Sequence, residues 1–299
     1  MTARSRGGIR PGRGPRQRVT VLAVPALVWY LIFLVGPLGA VFYYSITDAS
    51  TIVAPAHVVG LRNFERVLTD DLFWISVRQT LIHVGVSVPV MVVLGFMLGY
   101  YLFLRPPGAK VLRILFFTSA LLSVSTKSMI FYAILAPKGL VNQTLGFLGL
   151  DALTHNWLAD PTTTLGVIIA VDLWSGIGFL AILFSAQLTS VSVESIEASR
   201  LDGCGHWRSM WHVAFGTIQG FVGVIAMVQF LWSLFLSAGT VLLLTKGGPG
   251  TSSFTLSFLV WSKAFEQSDI GYSQAVGVIL FVLGIIGAYI IRTALRSRT

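Results

Sequence analysis

Six long apolar stretches, each closed by a polar break, constrain this chain more than any other feature. They run over Val21–Ser45, Ile75–Phe103, Val111–Leu135, Thr164–Leu188, Thr217–Leu244 and Ala275–Ile291. A helix needs about 20 residues to cross a hydrocarbon layer roughly 30 Å thick. In lipid, every backbone N–H and C=O must find its partner within the protein, which a helix provides internally. Each stretch is therefore expected to be a transmembrane helix, and the fold class all-α and polytopic with about six such helices. With 55% of 299 residues hydrophobic and 11% charged, the chain is far too apolar for a soluble domain of its size. Residues 1–20 are expected to be a disordered basic tail and residues 21–299 the membrane domain.

The cationic residues give the orientation. Arg4, Arg6, Arg10, Arg13, Arg16 and Arg18 precede the first span, and Arg105, Lys110 and Arg113 follow the second. Arg200 and Arg208 follow the fourth, and Arg292, Arg296 and Arg298 close the chain. With six spans these ends share one side, which the positive-inside rule makes the cytoplasm, both termini included. The opposite loops carry Asp48, Glu65, Asp70, Asp71, Asp151, Asp160, Glu266 and Asp269. The net charge of +9 is thus topological bias, and no nucleic-acid partner is expected. The first apolar run is longer than a signal-peptide core and lacks a small-residue cleavage site, so it reads as a retained helix. A single cysteine, Cys204, excludes an internal disulfide framework.

The longest helical-looking polar interval after the tail is Glu194–Gly216, ESIEASRLDGCGHWRSMWHVAFG. Ser192 can cap a helix start, with Glu194 at its positive dipole end, and Gly203 and Gly205 offer the left-handed geometry that stops it. A second run, His206–Phe215, spaces Trp207, Met210, Trp211 and Phe215 three and four apart on one apolar face. The pair, at about 192–216, makes a compact knob at a membrane surface; its bland alternative is a loop lying in the headgroups.

Glu197, Ala198, Ser199 and Gly203, followed after nine residues by Val213, Ala214, Phe215 and Gly216, resemble the cytoplasmic E-A-A…G…I-x-L-P motif of inner-membrane subunits of binding-protein-dependent ABC importers. Asp202, Gly203, Cys204 and Trp207 match its extended sugar-importer form, whereas Ser199 and Gly216 depart from the usual Ala and Pro. Further similarities follow in the family's order: Gly139, Leu140 and Asn142; Asn156, Trp157, Leu158 and Pro161; Trp174, Gly176, Gly178 and Phe179; Thr245, Gly247, Gly248 and Pro249; Phe265, Gly271 and Tyr272. Val59–Leu68 reads as a short amphipathic helix on the outer surface, and the family has a similar run there.

The resemblance implies a type I ABC importer permease fold in a prokaryotic cell membrane, of the carbohydrate-uptake kind that includes the maltose and glycerol-phosphate permeases. It implies four kinds of neighbour: a second, non-identical permease subunit, two ATP-binding subunits, an extracytoplasmic sugar-binding protein, and the lipid bilayer. ATP and Mg would sit on the partner subunits, so this chain is expected to bind no cofactor and to be no enzyme. Glu197, Ala198, Ser199, Asp202, Gly203 and Trp207 are the implied contacts to the ATPase. Glu197 and Asp202 would act as polar or ionic contacts and Gly203 as the elbow.

A charge at the lipid-facing centre of a helix costs about 2.5–3.5 kcal/mol, so such groups face a cavity or a partner. Lys127 and Asp172 fall roughly 12 Å below the outer edge of the third and fourth spans at a helical rise. An ion pair, a role in a substrate cavity and independent snorkelling are all open to them. Gln229, Phe230 and Trp232, with Ser233, Phe235, Ser237 and Thr240 beyond, offer the rings and hydroxyl partners that sugar recognition uses. Gln229, as a mid-membrane amide, needs a partner. Arg78, Gln79 and His83 begin the second span, where Gly95 and Gly99 form a GxxxG that chance or close packing explains equally.

No Gly-Lys-Ser or Gly-Lys-Thr phosphate cradle, no HExxH, no CxxC and no nucleophile elbow occurs. The histidines lack metal spacing, and no metal site is expected. An ion-coupled secondary transporter is the main alternative, with Asp172 as its carboxylate, but no inverted repeat is found. An intramembrane enzyme would need a catalytic cluster that the sequence does not offer.

Overall fold

The computed structural model describes residues 24–53, 55–192, 201 and 204–295, so the expected basic tail lies outside the described residues. In chain order the helices are α1 (Val24–Ser45), α2 (Arg62–Thr69), α3 (Asp71–Phe103), α4 (Ala109–Leu121), α5 (Val124–Ile134), α6 (Leu140–Phe147) and α7 (Thr164–Leu188). After them come α8 (206–217), α9 (Gln219–Leu244), α10 (Leu256–Phe265) and α11 (Ile270–Ala294). Five of these are long and apolar enough to cross a membrane, or six with α4 and α5 counted as one bent span.

The third span is the correction. It is not one rod over Val111–Leu135 but two helices bent by 102°. Leu122 leaves the helix in an extended conformation, and the Ser123 hydroxyl accepts from the Thr126 N–H to start a new one. A break at this depth is tolerated where the freed backbone lines a cavity, and Ala120, Leu122 and Val124 do line one. Near Pro37 the first span departs from regular α-helix through a wide turn. Pro37 has no N–H to donate, and Leu31–Val35 opens into a π-helical turn in which the Gly36 N–H reaches Leu31 O. Trp29, Tyr30 and Phe33 on α1 are exposed on this subunit.

α3 and α7 run parallel and lie against each other along most of their length, and small residues make that approach possible. A Cβ on Gly95 would come within 2.7 Å of Leu180 Cβ, and one on Gly99 within 2.6 Å of Phe184 Cβ. One turn earlier Gly176 faces Met91, where a Cβ would meet Sδ at 2.9 Å. The steps of four on both helices give one continuous seam, so the GxxxG is a packing device. On the opposite side of α7, Gly178 rests on the backbone carbonyl of Phe116 in α4. The glycine-rich stretch after Trp174 thus lets three helices close on one another.

Two aromatic and aliphatic layers finish the subunit. At one end Val67, Phe73, Leu256, Leu259, Tyr272 and Val276 bury the short α2 against α10 and α11. There Asn63 Nδ2 donates to Ser45 O and Thr47 O at 3.0 and 2.7 Å, Arg66 pairs with Asp269 at 2.6 Å, and the Tyr272 hydroxyl donates to Asp70 at 2.7 Å. Asn142 ties two of the family-like segments together, accepting from Trp157 Nε1 at 2.9 Å and donating to His155 O. At the other end Phe96, Phe184, Met210, Ala214, Ile218 and Val222 form the core under α8.

Candidate functional site

Four helices converge on one carboxylate. Asp172 on α7 accepts through Oδ1 from Lys127 Nζ of α5 at 3.1 Å and from Thr240 Oγ1 of α9 at 2.9 Å. Its Oδ2 lies 3.2 Å from Nε2 of His83 on α3. Lys127 also donates to Ser175 Oγ, one turn beyond Asp172, at 3.2 Å. Because the carboxylate is an acceptor, His83 meets it as an Nε2–H donor, with Nδ1 facing away from it. That Nδ1 is buried with no hydrogen-bond partner. Lys127 and Asp172 are thus paired, and their low exposure is not that of snorkelling side chains.

The pair forms one wall of a cavity of about 320 Å³, at the small end of ligand pockets. The α4–α5 bend supplies Ala120, Leu122 and Val124; α7 supplies Ser175, Gly176 and Phe179; α9 supplies Gln229, Trp232, Ser233, Leu236, Ser237 and Thr240. These α9 positions recur at three- and four-residue spacing and so share one face. Trp232 and Phe179 both line the cavity and stack nearly parallel, with centroids 6.3 Å apart and planes 18° apart. Gln229 is buried and makes no hydrogen bond among the described residues, so its amide is left to serve the cavity.

Of the residues foreseen for this path, Lys127, Asp172, Gln229 and Trp232 meet here, and Phe230 does not. One residue past Gln229, it is rotated about 100° round the helix and packs its ring on Gly287 of α11. The sequence placed His83 at the start of the second span without a partner; it lies one turn deeper than Gln79 and reaches the buried carboxylate. Ser175, three residues after Asp172 on the same helical face, was legible from spacing alone.

The second candidate region is the knob. Glu197, Ala198, Ser199, Asp202 and Gly203 lie outside the described residues. The knob's second half is α8, which begins with His206–Arg208 and widens to a π-helical stretch over Ser209–Ala214. Trp207 is 64% exposed, its ring edge-on to Trp211. Trp211 and Phe215 turn inward to the Phe96 ring at 5.4 and 5.2 Å, and Phe96 meets Phe184 at 5.8 Å. This cluster fastens α8 to both α3 and α7. Among the described residues no group of His, Cys, Asp or Glu is arranged to hold a metal ion.

A profile of the binding-protein-dependent transport system inner membrane component matches residues 77–299. The chain belongs to this family. It is a multi-pass inner-membrane permease subunit, a transport component of an ABC system. Among curated relatives, the probable ABC transporter permease protein YurN of Bacillus subtilis is 28% identical, with 87% of this chain and 89% of that protein covered. The trehalose/maltose transport system permease protein MalF of Thermococcus litoralis is 26% identical, covering 88% of each. The multiple sugar-binding transport system permease protein MsmF of Streptococcus mutans is 28% identical, covering 88% of this chain and 90% of that one. In fold, the permease is similar to a chain of the crystal structure of a bacterial ABC transporter involved in the import of the acidic polysaccharide alginate. The TM-score is 0.78 at 19% identity, with 95% of this chain and 96% of that one covered. A chain of the crystal structure of a bacterial alginate ABC transporter in complex with alginate pentasaccharide-bound periplasmic protein gives a TM-score of 0.80 at 18% identity, with 95% of this chain and 96% of that one covered.

Proposed function

We propose that this permease forms half of the translocation path of an ATP-driven sugar importer. A second permease subunit completes that path, and an extracytoplasmic binding protein delivers the sugar. The observation that carries the reading is the cavity at the α4–α5 bend. It offers a parallel pair of rings, Trp232 and Phe179, to an apolar sugar face. Beside them stand the unengaged Gln229 amide and the Ser233 hydroxyl to meet sugar hydroxyls. Relatives whose names specify sugars, the trehalose/maltose and multiple-sugar permeases among them, support the same substrate class.

Coupling runs through the knob. Glu197 and Asp202 supply the polar contacts to a separate ATPase subunit, and Gly203 the elbow; Trp207, at the start of α8, is exposed. The ring cluster around Phe96 gives α8 a firm grip on α3 and α7, and the Gly95/Gly99 seam makes those two helices one body. A shift of α8 would therefore be carried to His83, Asp172 and Phe179 around the cavity, biasing which side it opens to. ATP and Mg belong to the motor subunit in this reading, and this chain performs no bond chemistry. The ion-coupled alternative is the weaker one, because the Asp172 carboxylate is already taken by Lys127, His83 and Thr240.

The test is uptake by cells lacking this chain, complemented with wild type or Gln229→Ala, across a panel of mono-, di- and oligosaccharides. The expected result is an ATP-dependent uptake of one sugar class that falls at least tenfold in the variant with assembly intact. Uptake by the purified chain alone, driven by an ion gradient, would overturn the reading.

A further inference from the structure

A larger groove, about 1170 Å³, lies at the knob's end of the molecule and shares no lining residue with the cavity at the α4–α5 bend. It is bounded by the end of α3, the start of α4 and the last turn of α7 out to Val191, where the chain turns toward the knob. Arg105, Lys110 and Arg113 stand around it, and no carboxylate is among its described lining residues. None of the three cations has an ionic partner among the described residues. Arg113 is held by a 3.4 Å hydrogen bond to the buried Ser185 hydroxyl.

The loop that sets these cations is stiff. Arg105 adopts a φ of 52° and Gly108 one of 84°, with two fixed-φ prolines, Pro106 and Pro107, between them. Lys110 follows in the first turn of α4, whose N-terminal cap carries no side-chain hydrogen bond, so the positive end of that helix adds to the field. Leu102, Phe103 and Ile182 give the groove an apolar stretch of wall beside the cations. A soluble anion would use the cations and leave this wall wet. A phospholipid uses both, phosphate against the cations and glycerol and upper acyl chain against the wall.

We propose that this groove is a binding site for an anionic glycerophospholipid of the cytoplasmic leaflet, its phosphate held by Arg105, Lys110 and Arg113. The location fits: Arg113 is one turn inside α4, near the end of a membrane-spanning segment, on the side that the positive-inside rule makes cytoplasmic.

The experiment is native mass spectrometry of the purified importer complex in detergent, titrated with phosphatidylglycerol, cardiolipin or phosphatidylcholine. Wild type is expected to retain phosphatidylglycerol and cardiolipin and not phosphatidylcholine. In the triple variant R105Q/K110Q/R113Q the affinity for the anionic lipids should fall on the order of 100-fold, about fivefold for each cation lost. Ile182→Trp, which crowds the apolar wall and keeps every charge, should weaken the same adducts. Three results would overturn the proposal. One is lipid retention unchanged in both variants, and another is displacement of the lipid by excess inorganic phosphate. The third is loss of the adducts only when the six tail arginines up to Arg18 are changed to glutamine.

Discussion

Lys127 Nζ donates to Asp172 Oδ1 across 3.1 Å, from a helix that starts only because the third span breaks at Leu122 and Ser123. Without the 102° bend, the lysine would have continued along a separate rod and the carboxylate would have kept only His83 and Thr240. Removing one member of a buried pair strands the other and typically costs about 3–5 kcal/mol, whereas replacing both with apolar groups can be nearly neutral. Asp172→Asn and Lys127→Met should each lower assembly and uptake sharply, and the double variant should recover a large part of the stability. Thermal unfolding of the purified complex in detergent, run as a double-mutant cycle, checks this. Full additivity of the two losses would mean that the contact has no energetic content.

The α3–α7 seam makes a second prediction with an internal control. Gly99→Ala puts a Cβ 2.6 Å from Phe184 Cβ and 2.8 Å from the Ala181 carbonyl, so the helices must part. Overpacking of this kind costs about 1–3 kcal/mol. On the same helix a Cβ at Gly85 meets nothing within 4 Å, and Gly85→Ala should be neutral or slightly stabilising. Melting temperatures of the two variants should differ in that order; equal shifts would remove the seam as the cause.

What was legible in the sequence follows from which physics acts locally. Span lengths are set by bilayer thickness, a constraint each segment obeys alone, so the limits of α7 coincide with the expected Thr164–Leu188. The bend was not legible, because Leu122–Ser123 breaks a ladder without a proline or glycine to announce it; only the serine cap hints at a restart. Lys127 and Asp172 stood out as costly charges, and matched depth admitted an ion pair, which the structure shows, beside a cavity role and independent snorkelling. His83 looked like an interfacial residue, because its distance from the polar break gives depth but not direction. Which way it points depends on the parallel register of α3 and α7, a relation between segments far apart in the chain. Phe230 failed for the same reason: composition places a ring on α9, while the 100° step from Gln229 decides which neighbour it meets.

That angular difference separates two neighbouring aromatic residues experimentally. Trp232 is 48% exposed to the cavity side and stacks on Phe179, whereas Phe230 is half-buried against Gly287. Trp232→Ala should lower uptake with little change in stability. Phe230→Ala should do the reverse, losing about 2 kcal/mol of packing and leaving the apparent affinity for sugar unchanged. Uptake kinetics set beside melting curves decide it, and a loss of affinity in Phe230→Ala would return that ring to the sugar path.

The grip of α8 on the membrane helices carries the last prediction. Phe96 holds Trp211, Phe215 and Phe184 through ring contacts between 5.2 and 5.8 Å, each aromatic pair contributing about 0.5–1.5 kcal/mol beyond area burial. If motion enters through the knob, loosening this cluster should leave the motor running while the load slips. Phe96→Ala, reconstituted with its partners in proteoliposomes, is expected to keep ATP hydrolysis within about twofold of wild type while sugar uptake falls at least tenfold. Glu197→Ala and Asp202→Ala, on the side toward the motor, should instead weaken association of the ATPase subunit and lower both activities together. Cys204, only two residues from Asp202, gives an independent readout, because a crosslink from it to the ATPase subunit should persist in Phe96→Ala and fade in Asp202→Ala. Were Phe96→Ala to lose hydrolysis and uptake in equal proportion, with the crosslink gone as well, the ring cluster would be a folding element of the knob and not the link that transmits its movement.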